Sequence, residues 1–286
     1  VSLLAAARPV DPGDLAIPAR QARPFGAELV LLGAAVEPAS LAAGQAATLS
    51  VWWQALGRPD PARQVLVELS GTPGQFAARK LYPLAGAAAV PWQPGQTVRQ
   101  RYALELNPAA VTGDYRLVLT PADQSGKALG PAVTAATVHF QARPRLYRLP
   151  AITHPVEARL GNAVVLRGYD MALPAAGGDP LQLTLYWQAS GQGTVPDKVF
   201  VHLIDSAGKI AGQDDRLPAN GEAPAETWLA GEVVIDRHTL ARPPSGHYRL
   251  VAGMYDPSSG SRLHAVDASG AGLADDAVPL GEITIP

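Results

Sequence analysis

The chain repeats itself at the scale of a whole domain. Leu49–Ala55 (LSVWWQA) returns as Leu183–Ala189 (LTLYWQA), which places Trp53 and Trp187 134 residues apart. Leu29–Gly33 (LVLLG) matches Val164–Gly168 (VVLRG), with Gly26 and Gly161 just ahead of them at an offset of 135. Val65–Leu69 answers Val199–Leu203 at 134, Trp92–Val98 (WQPGQTV) answers Trp228–Val234 (WLAGEVV) at 136, and Gly113–Val118 (GDYRLV) answers Gly246–Val251 (GHYRLV) at 133. Five blocks in one order, with offsets that drift by only three residues, mark a duplication. A solenoid unit is roughly 20–50 residues long, whereas a unit near this offset has the size of an independently folding domain.

Two domains are therefore expected, at 25–142 and 156–286. A proline-rich linker at 143–155 carries Pro144, Pro150 and Pro155, and proline makes such a connection stiff. Residues 1–24, rich in proline, alanine and arginine, read as a linker entering the first domain. The chain opens on Val1 rather than methionine, so a processed product or an excised fragment is expected.

Within each copy the apolar period is two. Leu49, Val51, Trp53 and Ala55 alternate with Ser50, Trp52 and Gln54, and Leu183, Leu185, Trp187 and Ala189 alternate with Thr184, Tyr186 and Gln188; such alternation belongs to half-buried strands. Further strands are expected in the first copy at Ala27–Gly33, Arg63–Ser70, Phe76–Tyr82, Thr97–Leu106, Tyr115–Thr120 and Ala135–Gln141. Those of the second are Ala163–Tyr169, Val199–Asp205, Ile210–Gln213, Val233–Leu240, Tyr248–Tyr255 and Leu280–Ile285. No long stretch carries a helical stripe. Seven short strands per copy, punctuated by the chain's 28 glycines and 27 prolines, predict an all-β protein of two tandem immunoglobulin-like antiparallel β-sandwiches. Trp53 and Trp187 are expected to plug the space between two sheets, and Tyr115 and Tyr248 to form tyrosine corners.

Composition excludes several functions. The net charge of −2 offers no positive excess for phosphates, so nucleic acid is not an expected partner. The absence of cysteine rules out disulfides, thiolate metal sites and cysteine nucleophiles. The longest apolar stretches, Val1–Ala7 and Leu81–Val90, fall well short of the roughly 20 residues of a spanning helix, so no membrane insertion by this chain is expected.

The run Leu181–Ala189 (LQLTLYWQA), Val199–Asp205 (VFVHLID), Gln213–Asp215 (QDD), Trp228–Asp236 (WLAGEVVID), Ser245–Leu250 (SGHYRL) and Gly253–Leu263 (GMYDPSSGSRL) resembles modules that follow the membrane part of bacterial glycosyltransferases of the protein-mannosyltransferase-like class. The likeness spans most of the second copy and extends more weakly to the first. It implies a tandem β-sandwich outside the cytoplasm, tethered to a polytopic enzyme. The spanning helices and acidic catalytic loop of an intact enzyme have no counterpart in this sequence, and no catalytic residue carries over.

Candidate chemistry is sparse. There is no GxSxG elbow, no GxxxxGK phosphate cradle, and His139, His154, His202, His238, His247 and His264 are scattered. No cofactor is expected. Asp205, Asp214 and Asp215, with His202, offer oxygen ligands of the kind calcium takes, but Asp205-Ser206-Ala207-Gly208 is also a hairpin-turn signature, and the turn is the preferred reading. A glycan needs exposed aromatic planes with polar neighbours. Alternation puts Trp52 and Tyr186 on the outward face, and pairing of successive strands would set Leu66 beside Trp52, and Phe200 and His202 beside Tyr186 with Gln188 near. Such a strip would bind cell-surface glycan or be covered by a neighbour or a membrane-embedded enzyme portion. Trp92 and Trp228 are expected either to anchor loops or to line a loop-end site. The leading expectation is a non-catalytic extracytoplasmic accessory region; the alternative is a pair of carbohydrate-binding modules.

Overall fold

Period-two hydrophobicity becomes four largely antiparallel sheets in the computed structural model, which describes residues 16, 17, 20–72, 74–84, 92–172, 179–191 and 197–286. Most of the N-terminal extension, the stretch Val1–Ala7 and the end of Leu81–Val90 lie outside the described residues. Clustering of contacts divides the chain into two compact units, Val1–Arg143 and Pro144–Pro286.

The first unit holds β1 (Arg23–Phe25), β2 (Leu29–Glu37), β3 (Ser40–Ala42), β4 (Ala47–Ala55), β5 (Gln64–Ser70), β6 (Phe76–Pro83), β7 (Thr97–Leu104), β8 (Gly113–Ala122) and β9 (Val133–Gln141). One sheet runs β1-β2-β4-β7 and the other β3-β9-β8-β5-β6. All pairs are antiparallel except β3 with β9. Inward residues of both sheets, among them Leu31, Leu49, Val51 and Trp53 from one and Val65, Val67, Leu117 and Phe140 from the other, share a single core.

The second unit holds β10 (His154–Leu160), β11 (Val164–Ala172), β12 (Leu181–Ala189), β13 (Lys198–Ile204), β14 (Ile210–Arg216), β15 (Val233–Leu240), β16 (Gly246–Tyr255), β17 (Ala265–Asp267) and β18 (Val278–Ile285), in sheets ordered β15-β12-β11-β10-β17 and β14-β13-β16-β18. Its core again mixes both sheets, with Leu166, Leu185 and Trp187 against Val201, Leu250 and Met254. Three short 3-10 turns, at Pro218–Gly221, Ala225–Thr227 and Ala274–Asp276, make up its helical content among the described residues. Each expected strand is present; the expectation lacked β1, β3, β10 and β17. Three of these four have only three residues, and β10 contains Pro155, which cannot donate to a ladder.

The duplication extends to details. The strand after each leading turn carries a bulge at the same place, between Leu31 and Gly33 and between Leu166 and Gly168. Tyr115 donates its hydroxyl to Val111 O at 2.9 Å and Tyr248 to Pro244 O at 2.8 Å, so each late strand is tied to its own preceding loop as a tyrosine corner. Gly95 and Gly231 have φ of 83° and 82°, a left-handed conformation that disfavours any side chain.

The proline-rich segment departs from the expected linker. Arg145 forms an ion pair with the fully buried Glu232 and donates to Thr227 O at 3.0 Å, while Val233 N donates to Leu146 O at 2.8 Å. These residues belong to the second unit's own bonding, and β10 begins at His154, inside the stretch expected to be linker. The reason is the carboxylate of Glu232, which when buried needs a counter-charge.

Candidate functional site

The outward aromatic strip does not form. Trp52 does stand on the outer face of β4, outside the main core, but it is only 5% exposed and packs with Ile17 and Leu32. The Arg99 guanidinium lies 4.9 Å from its ring centroid and donates to Ser50 Oγ at 2.9 Å, so a cation covers the ring where a sugar would stack. Leu66 is not beside it. β4 pairs with β2 and β7, and the chain crosses to the opposite sheet before β5.

The same crossover separates the residues expected to meet in the second unit. Tyr186 is on β12 in one sheet; Phe200 and His202 are on β13 in the other. Tyr186 is 7% exposed and donates to Asp170 Oδ2 at 2.6 Å. That bond raises the Tyr186 hydroxyl above its ordinary value and, with the Thr153 N–H donating to Oδ1 at 2.7 Å, holds Asp170 below its own. Gln188 is half-buried on β12 and faces Val165 and Val233 across its neighbours. Phe200, 1% exposed, lies between the Arg262 guanidinium, 4.3 Å from the ring centroid, and the bare backbone of Gly253, where a Cβ would collide with the ring. His202 sits 4.9 Å from Phe200, ring to ring, with Nε2 3.0 Å from Asp215 Oδ1.

The two loop-end tryptophans are buried as well, Trp92 to 2% exposure and Trp228 to 1%. Trp228 donates to Ala223 O at 2.8 Å and so anchors its loop. Trp92 Nε1 has no such acceptor.

The three aspartates considered as calcium ligands go to three different partners. Asp205 Oδ1 accepts from Ala207 N at 2.9 Å and Lys209 N at 2.8 Å, the bonding of a turn. Asp215 meets His202, and Asp214 meets His238 Nδ1 at 3.0 Å and Thr239 N at 3.2 Å. Among the described residues, no group of three or more His, Asp or Glu side chains forms a ready metal cage.

Asp214 leads to a network that the sequence reading passed over. His238 is fully buried, with Nε2 2.9 Å from Asp236 Oδ2. The same Asp236 oxygen accepts the Trp187 indole N–H at 3.3 Å, and Oδ1 accepts Ala219 N at 2.9 Å. To bring that amide round, Ala219 and Asn220 take left-handed φ of 49° and 55°, a strained choice for residues with a Cβ. Arg216 completes the set, its Nη2 3.4 Å from Asp214 Oδ2. The arrangement clasps the edge of β14 to β15, which belong to different sheets. Aligning the copies on Trp92 and Trp228, which are 136 residues apart, could have found it, because Gln100 then stands at Asp236 and Tyr102 at His238. The first unit keeps the motif in neutral form, with Trp53 and Tyr102 both donating to Gln100 Oε1 at 2.9 and 2.6 Å.

An acid, a histidine and a second acid in line could in principle move a proton. Here His238 and Asp236 have no exposed surface, their facing atoms are taken up by protein partners, and no nucleophilic hydroxyl appears among them. The network binds two sheet edges together.

No protein-family model matches the chain, and no curated protein matches it. No helix among the described residues is long and apolar enough to cross a membrane.

Proposed function

We propose that the chain is a non-catalytic accessory region, two immunoglobulin-like β-sandwiches in tandem, that works outside the cytoplasm by surface contact with a membrane-bound glycosyltransferase. One observation carries the non-catalytic part of this reading. In the most catalytic-looking constellation in the described residues, Asp214–His238–Asp236, the histidine and the inner carboxylate are fully buried, and the set joins β14 to β15. The inward Trp53 and Trp187 and the two tyrosine corners support the immunoglobulin-like arrangement. The glycosyltransferase partner rests on the resemblance of the second copy to modules that follow such membrane enzymes. The native protein, detected with an antibody against this region, should pellet with membranes, require detergent for extraction, and have a mass well above 29.8 kDa. A free species of about that mass in the soluble fraction would remove the tether.

A second reading, glycan binding, keeps one foothold. Tyr147, 53% exposed, is the aromatic side chain most open to solvent among the described residues and lies next to the exposed Leu146. Glycan-array binding that disappears in Tyr147→Ala would favour it, and silence across polysaccharides would end it.

A further inference from the structure

The buried Asp236 network ends in an exposed turn that contains a chemically reactive pair. Asn220 is followed directly by Gly221, and both are exposed in the 3-10 turn Pro218–Gly221. An asparagine side-chain amide is open to attack by the backbone nitrogen of the next residue. Glycine in that next place leaves the nitrogen uncrowded, because it has no Cβ. The chain's other asparagines lack this arrangement. Asn107 precedes Pro108, whose nitrogen has no proton to lose, and Asn162 precedes Ala163, whose Cβ stands in the way.

The folded turn holds this pair apart. The five-membered ring that such an attack forms needs the Gly221 nitrogen on the same side of the Asn220 Cα–C bond as Cβ. With ψ of 32° at Asn220, the nitrogen lies nearly opposite Cβ and is turned away from the side-chain carbonyl carbon. Two hydrogen bonds fix that geometry: Ala219 N donates to Asp236 Oδ1 at 2.9 Å, and Glu222 N donates back to Ala219 O at 3.1 Å. Asparagine tolerates the left-handed region, but Ala219 does not favour it, and its φ of 49° persists because Asp236 takes its amide. Asp236 is itself held by His238 Nε2 at 2.9 Å and by the Trp187 indole at 3.3 Å. The backbone angle at an exposed asparagine therefore depends on a buried network.

We propose that Asn220 is a site of spontaneous covalent modification, gated by the bond between Ala219 and Asp236. When that bond opens, ψ at Asn220 rotates freely and the Gly221 nitrogen bonds to Asn220 Cγ. The Cγ–Nδ2 bond breaks, and the proton of Gly221 leaves with Nδ2 as ammonia. Water then opens the resulting succinimide at either carbonyl. One product is aspartate; the other is isoaspartate, in which the backbone runs through Cβ and Cγ. Isoaspartate places one more backbone carbon between Ala219 and Glu222, so the two bonds that shaped the turn no longer fit together. A passing opening of the turn thus leaves a permanent mark, and the marked chain does not close onto Asp236 as before.

The test is mass spectrometry of the full chain aged in mildly alkaline buffer, native and in urea. Asn220 holds the one side-chain amide of the tryptic peptide 217–237, so conversion of amide to acid in that peptide reports it alone. Conversion should be at least about tenfold slower in the native chain than in urea, because only the opened turn reacts. That ratio needs no variant. Asp236→Ala, confirmed as folded by circular dichroism, should remove most of the protection, whereas Asp205→Ala, which alters a different turn, should keep it. The isoaspartate-containing fraction of the aged chain, identified by enzymatic methylation, should melt at least about 2 °C below fresh protein. Asn220→Asp, which has the new charge without the extra backbone carbon, should melt close to the wild type. Equal rates in native and unfolded chains, no conversion even in urea, or a folded Asp236→Ala that ages no faster than the wild type overturns the proposal.

Discussion

The Trp187 indole donates to the carboxylate of Asp236, whereas the equivalent indole of Trp53 donates to the amide oxygen of Gln100. One inter-sheet tryptophan therefore has an ionisable acceptor and the other a neutral one, and the charged version recruits His238, Asp214 and Arg216 around it. Removing one member of a buried charged set costs more than removing one member of a neutral set, because the remaining charge stays buried and unpaired.

Asp236→Ala should therefore destabilise the second unit by about 3–5 kcal/mol, against about 1–3 kcal/mol for Gln100→Ala in the first. Urea unfolding followed by tryptophan fluorescence reads both, and equal shifts would refute the contrast. Asp236→Asn, which retains an acceptor for the indole, should fall between wild type and alanine.

Asp197 sets a pH dependence. Its carboxyl is raised from 3.8 to about 6 by burial and then by Asp256 and Glu226. The folded chain thus binds this proton more tightly than the unfolded chain, and the penalty for ionising it is complete above about pH 6 and gone below the unfolded value. Stability should rise as pH falls from 8 to 5, by no more than about 1.4 kcal/mol, the part of the shift that lies between pH 6 and 5, and by less once water screens the group. The wild type minus Asp197→Asn difference separates this group, with its coupling to Asp256 and Glu226, from the histidines and from Asp123, Asp170, Asp267 and Asp276, whose lowered values act at more acid pH. A difference that does not vary with pH would contradict the assignment.

Trp52→Ala is expected to act on stability. The ring packs with Ile17 and Leu32 and is capped by Arg99, and truncating a buried tryptophan typically costs about 3–5 kcal/mol. Calorimetry should show the first unit melting lower, and a melt unchanged from wild type would show that the ring is open after all. Arg99→Ala should expose the ring and give a smaller loss, about 0.5–2 kcal/mol.

The strands, both inward tryptophans and both tyrosine corners were legible because they depend on near neighbours in sequence. Period two decides which face Trp53 or Trp52 points to, and a glycine two residues before Tyr115 or Tyr248 marks a turn into a strand. What covers an outward face depends on residues far away in the chain. Arg99 reaches Trp52 across 47 residues, and Arg262 reaches Phe200 across 62, and neither carries a local signal. Strand neighbours were also out of reach, since β4 and β12 lead into strands of the opposite sheet, and Leu66 and Phe200 would flank them only if successive strands paired. The exchange of Arg63 for Asp197, in contrast, lay open in the repeat alignment, where the two residues stand 134 apart just ahead of equivalent strands.

Phe200 and Gly253 are direct neighbours across β13 and β16, and they should be energetically coupled. The ring occupies the space that a side chain at 253 would need, and Asp276 O stands 3.1 Å from the same point, so the glycine is required by packing rather than by a left-handed backbone. Gly253→Ala should push Phe200 off its seat between the backbone and Arg262 and destabilise the second unit by about 1–3 kcal/mol, the usual penalty for overpacking. Phe200→Ala alone should cost about 3–5 kcal/mol through the cavity and the lost contact with Arg262. In the double variant the new methyl group enters space that the ring has vacated, so the combined loss should be smaller than the sum by at least about 1 kcal/mol. A double-mutant cycle measured by urea unfolding reads that coupling directly. Strict additivity would mean that the ring is held by Arg262 and His202 alone and that Gly253 is merely tolerated beneath it.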